Sequence, residues 1–324
     1  MTQKALRLGT RRSMLAMAQS GQVADAVRQL TGRPVELVEI TTYGDTSREH
    51  LAQIGGTGVF VTALREALLR GDVDFAVHSL KDLPTAQPDD LVLAAVPVRE
   101  DPRDVLVARD GLTLTELAAS AEGRTVRIGT GSPRRMSQLN AYARSHGLAV
   151  ETVPIRGNID TRIGFAHSGE LDAVVLAAAG LNRIGRIGEV TDFLPVDTML
   201  PAPGQGALAI ECTAADADLA AALAELDDPY TRVAVTAERS LLAALEAGCS
   251  APVGAYADLL ADGQIVHEMR LRGVVGTTDG STLVQLSITG PVPASHDEAV
   301  ALGRELAVEM LAKGAAGLMG ERAL

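Results

Sequence analysis

One design occurs twice along this chain, and that repeat restricts the fold more than any composition does. The run ALRLGT (5–10) is followed by Arg11-Arg12-Ser13 and an Ala/Leu/Met/Gln-rich stretch reaching about Leu30; VRIGT (126–130) is followed by Gly131-Ser132-Pro133-Arg134-Arg135 and a second helix-like stretch. Each reads as a buried strand that ends in Gly-Thr and turns through Ser and Arg into a helix N-terminus. Free backbone N–H groups and the helix dipole favour an anion at such a turn. Two more segment pairs match: GDVDFAVHSLKDL (71–83) with GELDAVVLAAAGL (169–181), and VELVEITT (35–42) with VETVPIRG (150–157). The repeat predicts two α/β lobes of related design, each with a mostly parallel sheet. Such lobes bind ligands beyond the carboxyl ends of their strands.

EDPRDVLVARDG (100–111) would carry the chain from the first lobe to the second, and LPVDTMLPAPGQGALAIEC (194–212) reads as the return. Pro195, Pro201, Pro203, Gly204 and Gly206 mark a bend there, after which ALAIEC is a strand able to rejoin lobe one. Past DDP (227–229) the pattern changes to a helix ending near Gly248, then three strand-like runs with Asp279-Gly280 as a hairpin turn. Ser295 with Glu298 forms a capping-box pattern that opens a final helix to about Lys313. The expected organisation is domain 1 at 1–100 and 201–223, domain 2 at 104–198, and an α+β domain 3 at 226–324.

A net charge of −12 argues against a nucleic-acid or anionic-membrane surface, which needs a basic face. No run of about 18 apolar residues occurs, and the N-terminus enters a strand directly, so a cytoplasmic protein is expected. Aromatic residues are 2% of the chain with no Trp, so base stacking is not its recognition mode. Cys212 and Cys249 are the two cysteines, expected as free thiols in a reducing compartment. No CxxC, HExxH or His/Cys cluster predicts a metal site.

Of 29 basic residues, only Lys4, Lys81 and Lys313 are lysine. Arg11, Arg134, Arg135, Arg156 and Arg162 fall in or just after strand-to-loop turns, and Arg183 follows the AAAGL run. Guanidinium forks bind carboxylates bidentately and stay charged, so if the lobes face each other a converging set predicts a ligand with several carboxylates or phosphates; the alternative is that these are surface residues of an arginine-rich chain. His78, Lys81 and Asp82 follow an apolar strand in VHSLKDLP, where either a functional pair or a solvated ion pair fits. QIGGTGVF (53–60) lacks the GK[ST] ending of a phosphate loop and reads as a lid, with Phe60 as a stacking group, or as an ordinary flexible loop.

Cys249 stands in EAGCSAPVG, just past a helix C-terminus with Glu246 close by. That setting holds a thiol protonated and speaks against a nucleophile. It leaves two readings: a buried small apolar residue, or a thiol alkylated once that then serves as an anchor. Cys212 reads as buried filler.

Taken together, LRLGTRRSMLA, GVFVTALREALLRGDVDFAVHSLKDLP, REDPRD, GTGSPRR, IRGNIDTR, LDAVVLAAAGLNR, LPAPGQGALAIEC and TAERSLLAALEAGCSAPVG make this chain resemble the porphobilinogen deaminase (hydroxymethylbilane synthase) family over nearly its whole length. The resemblance implies a monomeric three-domain enzyme whose first two domains are type II periplasmic-binding-protein-like lobes and whose third is α+β with a three-stranded antiparallel sheet. Such an enzyme links four porphobilinogen molecules head to tail into hydroxymethylbilane, releasing ammonia at each step, and hydrolyses a hexapyrrole to release product. Its cofactor is a dipyrromethane made from porphobilinogen units and held by a thioether, and Cys249 matches the anchor.

By the same resemblance Asp82 matches the catalytic aspartate, which would offset the positive charge left on the pyrrole when ammonia departs. Lys81, Ser132, Arg134, Arg135 and Arg156 match residues holding the cofactor's acetate and propionate groups, with Asp82 beside them. Arg11, Ser13, Arg162 and Arg183, together with Phe60, would receive the substrate or steer the growing chain. Gln53 and Thr57 stand where many members carry lysines, Gly131 where a hydroxyl residue is frequent, and Ala247 where glycine is common. Two rival readings are a non-catalytic two-lobed carboxylate-binding protein and a cysteine hydrolase, for which His267 is a poor partner.

Overall fold

The computed structural model of the chain describes residues 4–41, 58–247, 251–263 and 265–319, with the side chains of 58–60 outside the description. Cys249, the loop with Gln53 and Thr57, and the Phe60 side chain therefore lie outside the described residues.

The first lobe runs β1 (Leu6–Thr10), α1 (Met14–Thr31), β2 (Val35–Glu39), α2 (Gly58–Leu69), β3 (Phe75–Ser79) and β4 (Leu91–Ala95). Ser13 caps α1 by accepting from the Ala16 N–H, and Gly32 at φ 67° ends the helix in the left-handed turn that glycine adopts at least cost. The second lobe repeats the scheme with β5 (Asp104–Ala108), α3 (Leu114–Ala119), β6 (Val126–Gly129), α4 (Pro133–Ser145), β7 (Val150–Val153), α5 (Ile159–His167), β8 (Ala173–Ala177), α6 (Ala178–Arg183) and β9 (Asp192–Phe193). Then follow β10 (Leu208–Thr213), α7 (Ala217–Ala224), α8 (Pro229–Ala244), β11 (Val253–Asp262), β12 (Ile265–Gly276), β13 (Leu283–Pro291) and α9 (His296–Ala312).

The two five-stranded sheets have matching orders, β2-β1-β3-β10-β4 and β7-β6-β8-β5-β9. In each, three strands pair in parallel and the fourth in the order runs antiparallel to both of its neighbours. The reversed strand is the one reached by a crossover, β10 in lobe one and β5 in lobe two. ALAIEC thus supplies the strand between β3 and β4, with β10 beginning at Leu208, 113 positions after β4 ends at Ala95. The same lobe topology is thus present twice. By packing, the chain falls into one unit of Met1–Glu100 with Gly206–Arg232 and another of Asp101–Gln205 with Val233–Leu324.

The cores are aliphatic, as a chain so poor in aromatics requires. Leu8, Val23, Val27, Phe75, Ile210 and Cys212 meet on one face of the first sheet. Separate clusters cover the two faces of the second sheet, one around Leu106, Ile128 and Leu139 and the other around Val107, Ile163 and Leu181. Strands covered on both faces need continuous apolar runs, which DVLVA and AVVLA provide.

The C-terminal sheet is antiparallel, β11-β12-β13, with α8 and α9 against it. Gly303 of α9 has no room for a Cβ, which would sit 2.5 Å from the Ala237 carbonyl oxygen of α8. Asp279 and Gly280 do lie in the β12–β13 hairpin, but the connection spans 277–282 instead of two residues. Asp279 Oδ1 accepts from Thr277 Oγ1 at 2.6 Å and Ser281 N at 3.0 Å, closing the loop on itself. The loop then docks on α4: Asn140 Nδ2 donates to the Thr278 carbonyl at 2.8 Å and Arg144 Nε to that of Asp279 at 2.9 Å. At the start of α9, Ser295 accepts from Glu298 N, but the Glu298 carboxylate accepts from Ala294 N, so the expected reciprocal box is displaced by one residue. Among the described residues, no helix is long and apolar enough to cross a membrane.

Candidate active site

In lobe one, every expected site residue in the described part follows the carboxyl end of β1 or β3, which are neighbouring strands. Thr10, fully buried at the end of β1, donates to the Ala16 carbonyl at 3.2 Å and accepts from Ser20 Oγ at 2.7 Å. That fixes the turn carrying Arg11 and Ser13, both half-buried. Gln19 reaches from α1 to Ser79 Oγ at 3.0 Å and ties the helix to the end of β3.

After β3 the chain makes one 3-10 turn, Leu80–Asp82. Leu80 and Leu83 are buried at 0% and 2% exposure, and Leu80 N donates to the Ala207 carbonyl at 3.0 Å. With both leucines facing inward, Lys81 and Asp82 between them are left half-buried at the lobe's surface. The Asp82 carboxylate makes no hydrogen bond or ion pair with any described residue. His78, one of the residues singled out with this pair, faces the other way: its Nε2 lies 3.3 Å from Glu211 Oε2 in a buried cluster. Nε2 meets ion-pair distance there without hydrogen-bond geometry. Arg65 of α2 grips the same carboxylate at 2.8 and 3.1 Å, and Gln87 adds a bond at 3.2 Å.

In lobe two the chain leaves β6 through buried Thr130 and exposed Gly131 to Ser132, which caps α4 by accepting from Arg135 N, with Pro133 opening the helix. A Cβ on Gly131 would sit 2.6 Å from the Ile155 carbonyl oxygen. Glycine here is thus a steric requirement of this backbone, which accounts for the absent hydroxyl residue. Arg134 and Arg135 are not surface residues: they are 4% and 5% exposed. Both face Asp104, the fully buried first residue of β5, with Arg134 Nη1 to Oδ2 at 2.6 Å and Arg135 Nε and Nη2 to Oδ1 at 3.0 and 2.8 Å. Burial alone would raise the Asp104 carboxyl, yet the two guanidinium charges hold it far below the usual carboxylate range.

Arg156 is exposed just after β7, Arg162 is half-buried on α5 with Nε donating to the Gly157 carbonyl at 2.9 Å, and Arg183 is half-buried at the end of α6. Burial and the nearby charge of Arg135 both depress Arg162's affinity for its proton. Among the described residues no carboxylate pairs with Arg162. Lobe two therefore gathers Ser132, Arg134, Arg135 and Arg162 on one edge with cationic charge in excess, since a single buried carboxylate faces two guanidiniums. Among the described residues, buried Arg134 Nε has no hydrogen-bond partner. This donor set fits a group that brings carboxylates of its own.

Cys212 is fully buried in β10 and unpaired. Burial, with Asp216 and Glu211 adding negative charge, pushes its thiol up to about 11. It is filler, as its place in an apolar strand suggests. Asp104 and Gln205 had no assigned role in the sequence; an acid opening the apolar run DVLVA was the available signal, because a charge in a covered strand requires partners.

The two lobes share one strand order, and in lobe two Arg134 and Arg135 are set against one buried carboxylate with Arg162 nearby. A family model described as porphobilinogen deaminase, dipyromethane cofactor binding domain, matches residues 6–221, and one for the C-terminal domain of porphobilinogen deaminase matches 232–312. The chain is 86% identical over 322 residues to porphobilinogen deaminase 1 of Streptomyces avermitilis, covering 99% of each, and 81% identical over 323 residues to porphobilinogen deaminase 1 of Streptomyces coelicolor, covering 100% of each. Among solved structures it is similar to immunogenic lipoprotein A of Vibrio vulnificus, at TM-score 0.40 and 11% identity over 68% of this chain and 94% of that one. The chain belongs to the porphobilinogen deaminase family.

Proposed function

We propose that this chain is a transferase of tetrapyrrole biosynthesis that joins four porphobilinogen molecules into hydroxymethylbilane with release of ammonia, on a dipyrromethane primer attached to Cys249. The observation that carries the reading is the excess of guanidinium over carboxylate on the lobe-two edge. Every porphobilinogen ring has two carboxylates, so primer and product are polyanions that match it.

Lys81, Ser132, Arg134, Arg135 and Arg156 would hold the cofactor's acetate and propionate groups, and Arg11, Ser13, Arg162, Arg183 and Phe60 would receive substrate. When bound, the dipyrromethane supplies a terminal pyrrole carbon as the nucleophile for the next ring. Asp82 is the catalytic group of this chain. When the C–N bond of porphobilinogen's protonated aminomethyl group breaks, the electron pair leaves with the nitrogen as ammonia and the positive charge remains on the ring. The Asp82 carboxylate accepts the pyrrole N–H and offsets that charge. It then takes up the proton lost as the new C–C bond forms. Lacking a competing partner among the described residues, it is available for both tasks.

Cys249 matches the family's attachment cysteine, and the burial of Cys212 with its thiol held protonated supports that reading. The same reading makes the protein a cytoplasmic monomer with no nucleic-acid or membrane partner, divided into domains at 1–100 with 201–223, 104–198, and 226–324. The test is to supply porphobilinogen to the purified chain and follow ammonia and the linear tetrapyrrole. Four ammonia per hydroxymethylbilane is expected; tight porphobilinogen binding without ammonia release would favour the non-catalytic binding protein.

A further inference from the structure

Two guanidiniums that must receive a ligand's carboxylates are held in place by something, and in lobe two the holder is a single carboxylate. Asp104 splits its oxygens, Oδ2 to Arg134 and Oδ1 to Arg135. Oδ1 also accepts from Gln205 Nε2 at 3.0 Å, and the same amide nitrogen donates to the Pro102 carbonyl at 2.7 Å. Each arginine has one further backbone contact: Arg134 Nη1 to the Leu200 carbonyl at 2.6 Å, and Arg135 Nη1 to that of Val175 at 3.0 Å. Gln138, one helical turn past Arg134, grips Leu200 at both its N–H and its carbonyl, at 2.7 and 2.9 Å. The crossover segments at 101–104 and 200–205 are thereby fastened to the first turns of α4.

We propose that Asp104 is a positioning residue for cofactor loading, with Gln205 as its support: it aims the Arg134 and Arg135 forks at the edge where a pyrrole carboxylate is received. This rests on the reading that those two arginines hold the cofactor. A lone buried guanidinium pair would repel and take many rotamers; sharing one carboxylate leaves one net positive charge in one orientation. Asp104 does this from β5, beneath the helix that carries the arginines, without needing to touch the cofactor.

The test reads cofactor occupancy by intact mass on the full-length chain produced across a range of porphobilinogen supply, with the melting temperature measured alongside. Asp104→Asn keeps the shape and removes the charge. It is expected to need at least about tenfold more porphobilinogen for half-occupancy, and Gln205→Met a few-fold more. Gln205→Met decides the matter if Asp104→Asn does not fold. Arg135→Lys, which keeps charge and loses the fork, is expected to shift loading as Asp104→Asn does. If Arg135→Lys and Arg156→Leu both load like the wild type, the underlying assignment of the arginines fails. If they lose loading while Asp104→Asn and Gln205→Met load at the wild-type supply, with only the melting temperature lowered, Asp104 is structural and the inference is overturned.

Discussion

Replacing Glu211 by Gln removes the charge at the centre of the buried cluster in lobe one. The side chain is fully buried, so solvent screening does not dilute its interactions. Burial pushes its carboxyl up, but contacts with His78 and Arg65 outweigh this and bring it from 4.5 down to about 2. Arg65's two-point grip is the firmer of the two, since His78 lacks hydrogen-bond geometry. A depression of that size corresponds to about 3 kcal/mol at neutral pH, at ~1.4 kcal/mol for each unit. Because the folded-state value lies below the unfolded one, the contribution is complete above about pH 4.5 and is lost as pH falls towards 2. At pH 3.5 it has shrunk to about 2 kcal/mol.

The assay is urea unfolding read by pulsed hydrogen exchange on peptides covering β3 and β10, which isolates this lobe in a chain of several domains. At slopes of about 1–3 kcal/mol/M, Glu211→Gln should lower the midpoint by roughly 1–3 M at pH 7, and the gap to wild type should narrow at pH 3.5. A shift under about 0.3 M at pH 7, or a gap that widens in acid, would refute the reasoning.

Two further substitutions test the fold and the chemistry. Gly280→Ala places a Cβ 2.2 Å from Ala141 N at φ 69°, so it should cost more than about 2 kcal/mol and raise exchange at 277–282 and along α4. Gly263→Ala, also left-handed at φ 61° but with open space around it, should cost only about 1 kcal/mol, and equal losses for the two in thermal unfolding would rule out the docking contact. Asp82→Asn should keep its cofactor adduct while kcat falls at least about a hundredfold; near-normal hydroxymethylbilane formation by that variant would remove Asp82 from the chemistry.

The repeat was legible because it is written in local patterns that a strand and a helix each impose. Its shared acid has a plain structural meaning: Asp74 and Asp172 accept from the N–H groups of Arg7 and Arg127, at 2.7 and 2.8 Å, at the starts of matching strands. The turns bearing Arg11, Ser13, Ser132 and Asp82 were legible for the same reason. What the residues did not disclose are pairings between distant positions. Arg134 and Arg135 look like any surface arginines until Asp104, thirty positions earlier, is folded beneath them. Likewise His78 sits four residues from Asp82 yet turns to Glu211, because side chains alternate along β3 and the 3-10 turn then resets the direction. The length of the β12–β13 loop is not written in its own residues, because its docking on α4 sets it.

On the proposed function, one cysteine, Cys249, carries the primer on which the product is built. Intact mass of the purified chain tests it most directly. The wild type and Cys212→Ser should each carry a dipyrromethane adduct, and Cys249→Ser should carry none. An adduct on Cys249→Ser, or an unmodified wild-type chain that still turns over porphobilinogen, would contradict the account.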